Sequence, residues 1–189
     1  MPRLQKADGI LRLSERPVTA EGYALPAHLA RWAGDDWLRP VPDRNHTRSM
    51  IVDLPDEAAS AALARRLAGH LRIGDRIALD GPMGAGKTTL VRHLVHALGG
   101  DPTCVSSPTY TLLHRYESNP PVIHVDACRL SSPGQLAALG FEELSADAVA
   151  AIEWAAQVAA ELAPNWYITL EHRADGRRAT ISAPAGILP

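Results

Sequence analysis

The sequence predicts an α/β fold: a mostly parallel central sheet with helices around it and an antiparallel hairpin at its C-terminal end. Three observations carry this. Short apolar runs of strand length, RIALD (76–80), VIHVD (122–126) and AVAAIEW (148–154), read as buried strands. Helix-like stretches lie between them, and strands that alternate with helices build an α/β sheet. Asp175-Gly176 separates WYITLEH (166–172) from RRATISA (177–183), which is a hairpin signal.

Residues 1–49 have a different character from the rest. Pro2, Pro17, Pro26, Pro40 and Pro42 interrupt any long periodic segment. A short helix fits around Ala27–Trp32, where Leu29 and Trp32 would share a face. The stretch is expected to be an N-terminal extension, poorly ordered or lying ahead of a true start at Met50. The domain proper is expected to be 50–189.

Within it, Ile51–Leu54 is a short extended run. Asp56–Leu71 is helical, with Leu63, Leu67 and Leu71 at four-residue spacing and Gly74 just beyond. Thr88–Leu98 is a helix whose Leu90, Val91, Leu94, Val95 and Leu98 form one face, stopped by Gly99-Gly100. YTLLHRY (110–116) is a strand. Ser132-Pro133 starts a helix, since proline is tolerated at the first helical position. Ala155–Leu162 is helical up to Pro164.

Bulk composition excludes several classes. A net charge of −2 is no footprint of a nucleic-acid binder. Cys104 and Cys128 form no C-x-x-C pair and no disulfide framework, which points to a reducing, cytoplasmic setting. No run of about 18 apolar residues is present to span a membrane.

The chemistry begins at DGPMGAGKTTL (80–90). Gly81 to Thr88 matches G-x-x-x-x-G-K-[ST] in full, with a strand before it and a helix after it. Glycines let backbone N–H groups close around phosphates without Cβ clashes. The following helix adds its free N–H groups and positive dipole end. The cradle is therefore Gly81, Met83, Gly84, Ala85, Gly86, Lys87, Thr88 and Thr89. Lys87 would reach the β- and γ-phosphates of ATP, and the Thr88 hydroxyl would ligate Mg²⁺. The fold class sharpens to a P-loop NTPase-like three-layer sandwich.

Such a loop needs an acid beyond it for the metal or its water. VIHVD ends in Asp126 and AAIEW in Glu153, both at the carboxyl ends of strands where ligands gather. No N-K-x-D motif for guanine appears. LSSPGQL (130–136) is a helix start rather than a transport-ATPase signature, because it follows the VIHVD strand and carries an extra residue. A small-molecule kinase stays open, with Asp126 activating a substrate hydroxyl, although Arg115 and Arg129 are scattered rather than clustered in a lid.

Five motifs then occur in order: the P-loop, Ser107-Pro-Thr-Tyr-Thr111, His124-x-Asp-x-Cys-Arg129, LGFEEL (139–144) and Glu153-Trp154. Over about residues 51–183 this arrangement resembles the TsaE family, small bacterial ATPases of threonylcarbamoyladenosine (t6A) synthesis on tRNA. The family pattern has tyrosine where this chain has Cys128. The resemblance implies an ATPase that is slow alone and stimulated in a complex with TsaD and TsaB. Threonylcarbamoyl transfer to adenosine 37 of tRNA would then belong to TsaD, and tRNA would be met only through the complex. It also implies residue roles. Glu153 becomes the second metal-side acid beside Thr88, Asp126 orients or activates the attacking water, and Thr109 acts as a switch for the γ-phosphate. Trp154, next to Glu153, either lines the nucleotide pocket or is a plain core aromatic; His124, from its place on a buried strand, reads as a structural residue more than a catalyst.

Overall fold

The computed structural model describes residues 5–7, 10–12, 49–130, 132, 134–184 and 187. The chain divides into two compact units, Met1–Trp37 and Leu38–Pro189. In the first, β1 (Gln5–Ala7) pairs antiparallel with β2 (Ile10–Arg12). The helix expected at Ala27–Trp32 lies outside the described residues.

The second unit is built on a seven-stranded sheet. Its elements run β3 (Ser49–Leu54), α1 (Glu57–Ala68), β4 (Arg76–Asp80), α2 (Lys87–Ala97), β5 (Leu113–Tyr116) and β6 (Val122–Asp126). Then follow α3 (Gln135–Ala138), α4 (Phe141–Ser145), β7 (Val149–Glu153), α5 (Ala159–Leu162), β8 (Trp166–Arg173) and β9 (Gly176–Ser182). The strand order is β3-β9-β8-β4-β7-β6-β5. The four central strands β8, β4, β7 and β6 are parallel. The edges are antiparallel: β5 against β6, and β9 between β8 and β3.

Alternation along the strands makes the three layers. Ile77, Leu79, Val149, Ala151, Trp166, Ile168 and Leu170 join Leu63, Leu67 of α1 and Leu90, Val91, Leu94, Val95 of α2 in one core. The intervening Ala78, Ile123, Val125, Ala150 and Ile152 join Leu136, Phe141, Val158 and Leu162 in the other. This period of two decides where the acids go. Asp126 and Glu153 are in register on adjacent parallel strands and face the α2 side. Asp80 faces the opposite side, where its Oδ1 accepts from Ala156 N at 3.4 Å.

Four expectations need correction. The strand at 110–116 starts only at Leu113, because Leu112 takes a left-handed conformation (φ 66°) and its N–H closes a turn on Pro108 O. The helix from Ser132-Pro133 begins at Gln135, N-capped by Gly134 at φ 82°; residue 133 lies outside the described residues. Ala155–Leu162 is a 3-10 turn, Ala155–Val158, followed by the single helical turn of α5. Finally, α1 ends at Ala68, short of Leu71. Its start was legible: Asp56 accepts from Ala59 N at 2.7 Å as the N-cap, an arrangement worth about 1 kcal/mol.

Candidate functional site: a phosphate cradle at the sheet switch point

β4 sits at the centre of the sheet, and the chain passes to its β7 side and later to its β8 side. Ligands of open α/β sheets collect where the order reverses like this. The loop 81–86 occupies that place, running from the end of β4 into the N-terminus of α2. Gly81 has φ +142°, and a Cβ there would come to 2.3 Å from Leu170 O on β8. Gly84 and Gly86 take φ +75° and +100°. These are left-handed values that only glycine adopts cheaply, so the loop's shape rests on its composition.

Lys87 is the first residue of α2 and is 5% exposed. Its Nζ donates to Gly81 O at 2.8 Å and Pro82 O at 3.0 Å. The ammonium also stands 4.1 Å from the centre of the Trp154 ring, a cation–π contact. Burial lowers its pKa, and the charges of Glu153, Asp126 and Asp80 pull it back up in part. Trp154 itself turns through φ 58° while its N–H donates to Leu79 O at 3.0 Å. Left-handed backbone at a bulky residue costs about 1–3 kcal/mol and tends to mark functional positions.

The next residue finds an acid. Thr88 Oγ1 donates to Glu153 Oε1 at 2.7 Å, and His124 Nε2 lies 2.9 Å from that same oxygen. His124 is fully buried, and its Nδ1 has no hydrogen-bond partner among the described residues. Facing a carboxylate, Nε2 is the nitrogen that carries the proton. His124 therefore holds Glu153 in place, as a buried structural residue would.

Asp126 is bound on both oxygens. Oδ2 accepts from Thr109 Oγ1 at 2.6 Å and Ser107 Oγ at 3.1 Å, and Oδ1 accepts from Cys128 N at 3.0 Å. Burial pushes its pKa up, but these donors outweigh that and hold it below the ordinary carboxylate value. The stability this contributes is present above the ordinary value and is lost as pH falls through the lowered one. Ser107 was not singled out by sequence reasoning; its place beside Thr109 in the SPT run was the available signal. The loop they share is also tied at Thr109 O by Arg129 Nη1 (3.4 Å) and at Ser106 O by the Tyr116 hydroxyl (3.2 Å).

The remaining sequence-predicted residues fall around this centre. Ala85 is fully buried, Met83 is 61% exposed on the outer turn of the loop, and Thr89 is half-buried in the first turn of α2. Cys128 is buried beside Asp126, and burial together with that carboxylate pushes its thiol up to about 12. Cys104 is exposed. A thiol-reactive dye should accordingly label one cysteine rapidly in the native protein and the second only after unfolding. Two fast thiols would show that the Cys128 pocket opens.

The family model described as "Threonylcarbamoyl adenosine biosynthesis protein TsaE" matches residues 54–180 of the 189. The chain belongs to the TsaE family. TsaE relatives include proteins named "tRNA threonylcarbamoyladenosine biosynthesis protein TsaE" from Rickettsia felis and Streptomyces coelicolor. The first is 38% identical over 105 residues, covering 55% of this chain and 61% of the relative. The second is 43% identical over 96 residues, covering 49% and 64%. The chain thus spans less than two thirds of these relatives' own lengths. The crystal structure titled for Bacillus subtilus YdiB superimposes with a TM-score of 0.57 at 24% identity, over 72% of this chain and 86% of the other. It supports the P-loop NTPase-like fold. Among the described residues, no helix is long and apolar enough to cross a membrane.

Proposed function

We propose that this TsaE-family chain is a Mg²⁺-dependent ATPase that works with TsaB and TsaD homologues in t6A formation on tRNA. The observation that carries the nucleotide part is the Thr88–Glu153 pair beside Lys87. It sets two hard oxygen donors at the mouth of a loop whose glycines leave room for phosphate, a set that suits Mg²⁺. Family membership carries the pathway part.

Mg²⁺-ATP would supply the scissile phosphoryl group and neutralise the charge that develops on it. The chain's own residues then divide the work. The backbone N–H groups of Gly84 and of 86–88, at the α2 N-terminus, would bind phosphate oxygens, while the Ala85 N–H closes the loop on Pro82 O. Lys87 brings its ammonium to them, with the Trp154 ring lining its other side. Thr88 and Glu153 would hold the metal, and His124 keeps the Glu153 carboxylate oriented. Asp126, with its lowered pKa, is a poor general base at neutral pH. Its role is to accept a hydrogen bond and orient the attacking water. Thr109, now on Asp126, is the hydroxyl that a γ-phosphate would draw away, which makes the 105–112 loop the switch.

The test is Mg²⁺-ATP hydrolysis by the purified chain, alone and with its cognate TsaB–TsaD pair. A slow rate raised by the pair, with inorganic phosphate as the only phosphorylated product, is the expected result. A rate indifferent to the pair, with a phosphorylated small molecule formed, would support a kinase instead. Glu153→Ala should lower turnover about 10- to 100-fold while circular dichroism stays native. Normal turnover in that variant would remove Glu153 from the metal site.

A further inference from the structure

Two side chains of the C-terminal hairpin bond the exposed outer side of the phosphate loop. His172, near the end of β8, has Nε2 at 3.2 Å from Met83 O. Arg177, near the start of β9, donates from Nη2 to Gly84 O at 3.2 Å. The two residues are register partners across the hairpin. They take the carbonyls of two successive loop residues. Their side chains face the loop for the same reason that Leu170 and Ala179 face the α2 core, since residues two apart on a strand share a face. Arg177 also lies against the point where the loop enters α2. A Cβ at Gly86 would be 3.4 Å from its Cδ and Nε. Its Nε is buried and has no hydrogen-bond partner among the described residues.

The planar trans peptide explains what these contacts do. A carbonyl and the N–H of the following residue point in opposite directions in one plane. Pinning Met83 O outward turns the Gly84 N–H to the other side of the loop, the phosphate side. Pinning Gly84 O directs the Ala85 N–H inward as well, where it donates to Pro82 O at 3.2 Å and closes the loop's own turn. Left-handed glycines at 84 and 86 make this segment the one that can flip most easily.

We propose that His172 and Arg177 are positioning residues for nucleotide binding: the C-terminal hairpin latches the phosphate loop by its outward carbonyls and so pre-forms the cradle. This rests on the nucleotide-binding reading above. The loop and the hairpin are joined here by side chains 89 and 93 residues away in sequence. A ligand or partner that moved the hairpin would thereby change phosphate affinity with no contact to the nucleotide.

The experiment is calorimetric titration of the full chain with Mg²⁺-ATP and Mg²⁺-ADP, for the wild type, Lys87→Ala, Arg177→Ala, Arg177→Lys and His172→Ala. Arg177→Ala should weaken both nucleotides by about tenfold, the effect of losing one charge-assisted bond to a loop. Arg177→Lys, which restores a donor for the Gly84 carbonyl, should recover most of that. His172→Ala should lose less, because Arg177 makes a charge-assisted bond and also packs against Gly86 where the loop enters α2. The thermal midpoint of Arg177→Ala should stay near that of the wild type. Arg177→Ala within twofold of the wild type overturns the latch and leaves nucleotide binding standing. Loss for ATP alone overturns it too, by showing a direct γ-phosphate contact. A falling thermal midpoint that lysine does not restore makes Arg177 merely structural. A wild type as blind to nucleotide as Lys87→Ala overturns the nucleotide reading itself, and the latch with it.

Discussion

Lys87→Ala is expected to lower the ATP hydrolysis rate by about a hundred- to a thousandfold, the usual loss when one pre-organised donor at a developing charge is removed. Lys87 is nine-tenths or more buried, and its ammonium is held by two loop carbonyls and an aromatic face. A low-dielectric setting of this kind strengthens its attraction for phosphate oxygens. The fold should survive, because alanine removes a charge that burial destabilises, and the Pro82 carbonyl keeps the Ala85 N–H as its donor. The pH dependence follows from the same burial. Lys87's pKa is lowered from the ordinary 10.5, so the charged form is lost as pH rises through that lowered value. Turnover should therefore decline on the alkaline side before an ordinary lysine titrates. A pH–rate profile checks this, and a profile flat up to about 10.4 would place Lys87 outside the step. A rate in Lys87→Ala within tenfold of the wild type would remove it from catalysis altogether.

Gly81→Ala carries the largest expected effect on stability. The added methyl would lie 2.3 Å from Leu170 O, a distance at which backbone has to move. It would also force a φ of +142° on a residue with a Cβ. Conformational strain of this kind costs about 1–3 kcal/mol, and overpacking a filled site costs about 1–3 kcal/mol more. A loss of about 2–6 kcal/mol is anticipated, read as a fall in the urea midpoint. Nucleotide affinity should fall in parallel, because the strand that must yield is the one carrying His172. A midpoint unchanged in Gly81→Ala would mean that the loop and β8 do not approach as closely as described. Gly84→Ala is the control: it shares the left-handed backbone (φ +75°), but its Cβ would meet only His172 Cε1 at 3.9 Å. Its loss should be confined to the strain contribution of about 1–3 kcal/mol.

Much of this protein was legible in order along the chain. The buried strands, the amphipathic α2 and the Asp175-Gly176 turn rest on patterns a few residues long, and these set the α/β class. The P-loop was legible because its chemistry is backbone chemistry: the glycines, lysine and threonine that shape and charge the cradle are consecutive. Asp126 and Glu153 could be paired as strand-end acids because both close strands buried on two faces. Legibility stopped where conformation depends on distant contacts. The 110–112 segment reads as strand by composition, yet tethers to Asp126 and the turn at Pro108 bend it into a loop. Ala155–Leu162 reads as one helix, yet the left-handed Trp154 and the Asp80 cap begin it as a tight 3-10 turn.

The choice of partners belonged to the tertiary structure. Whether Glu153 meets Thr88, His124 or neither depends on β7 lying between β4 and β6, which no local pattern states. The latch from His172 and Arg177 depends on β8 pairing with the other side of β4, which brings the hairpin against the loop. Periodicity could place both side chains on the α2 face of their strands. It could not say what waits there, because a hydrogen bond needs a partner within about 3 Å and strand order alone sets that distance.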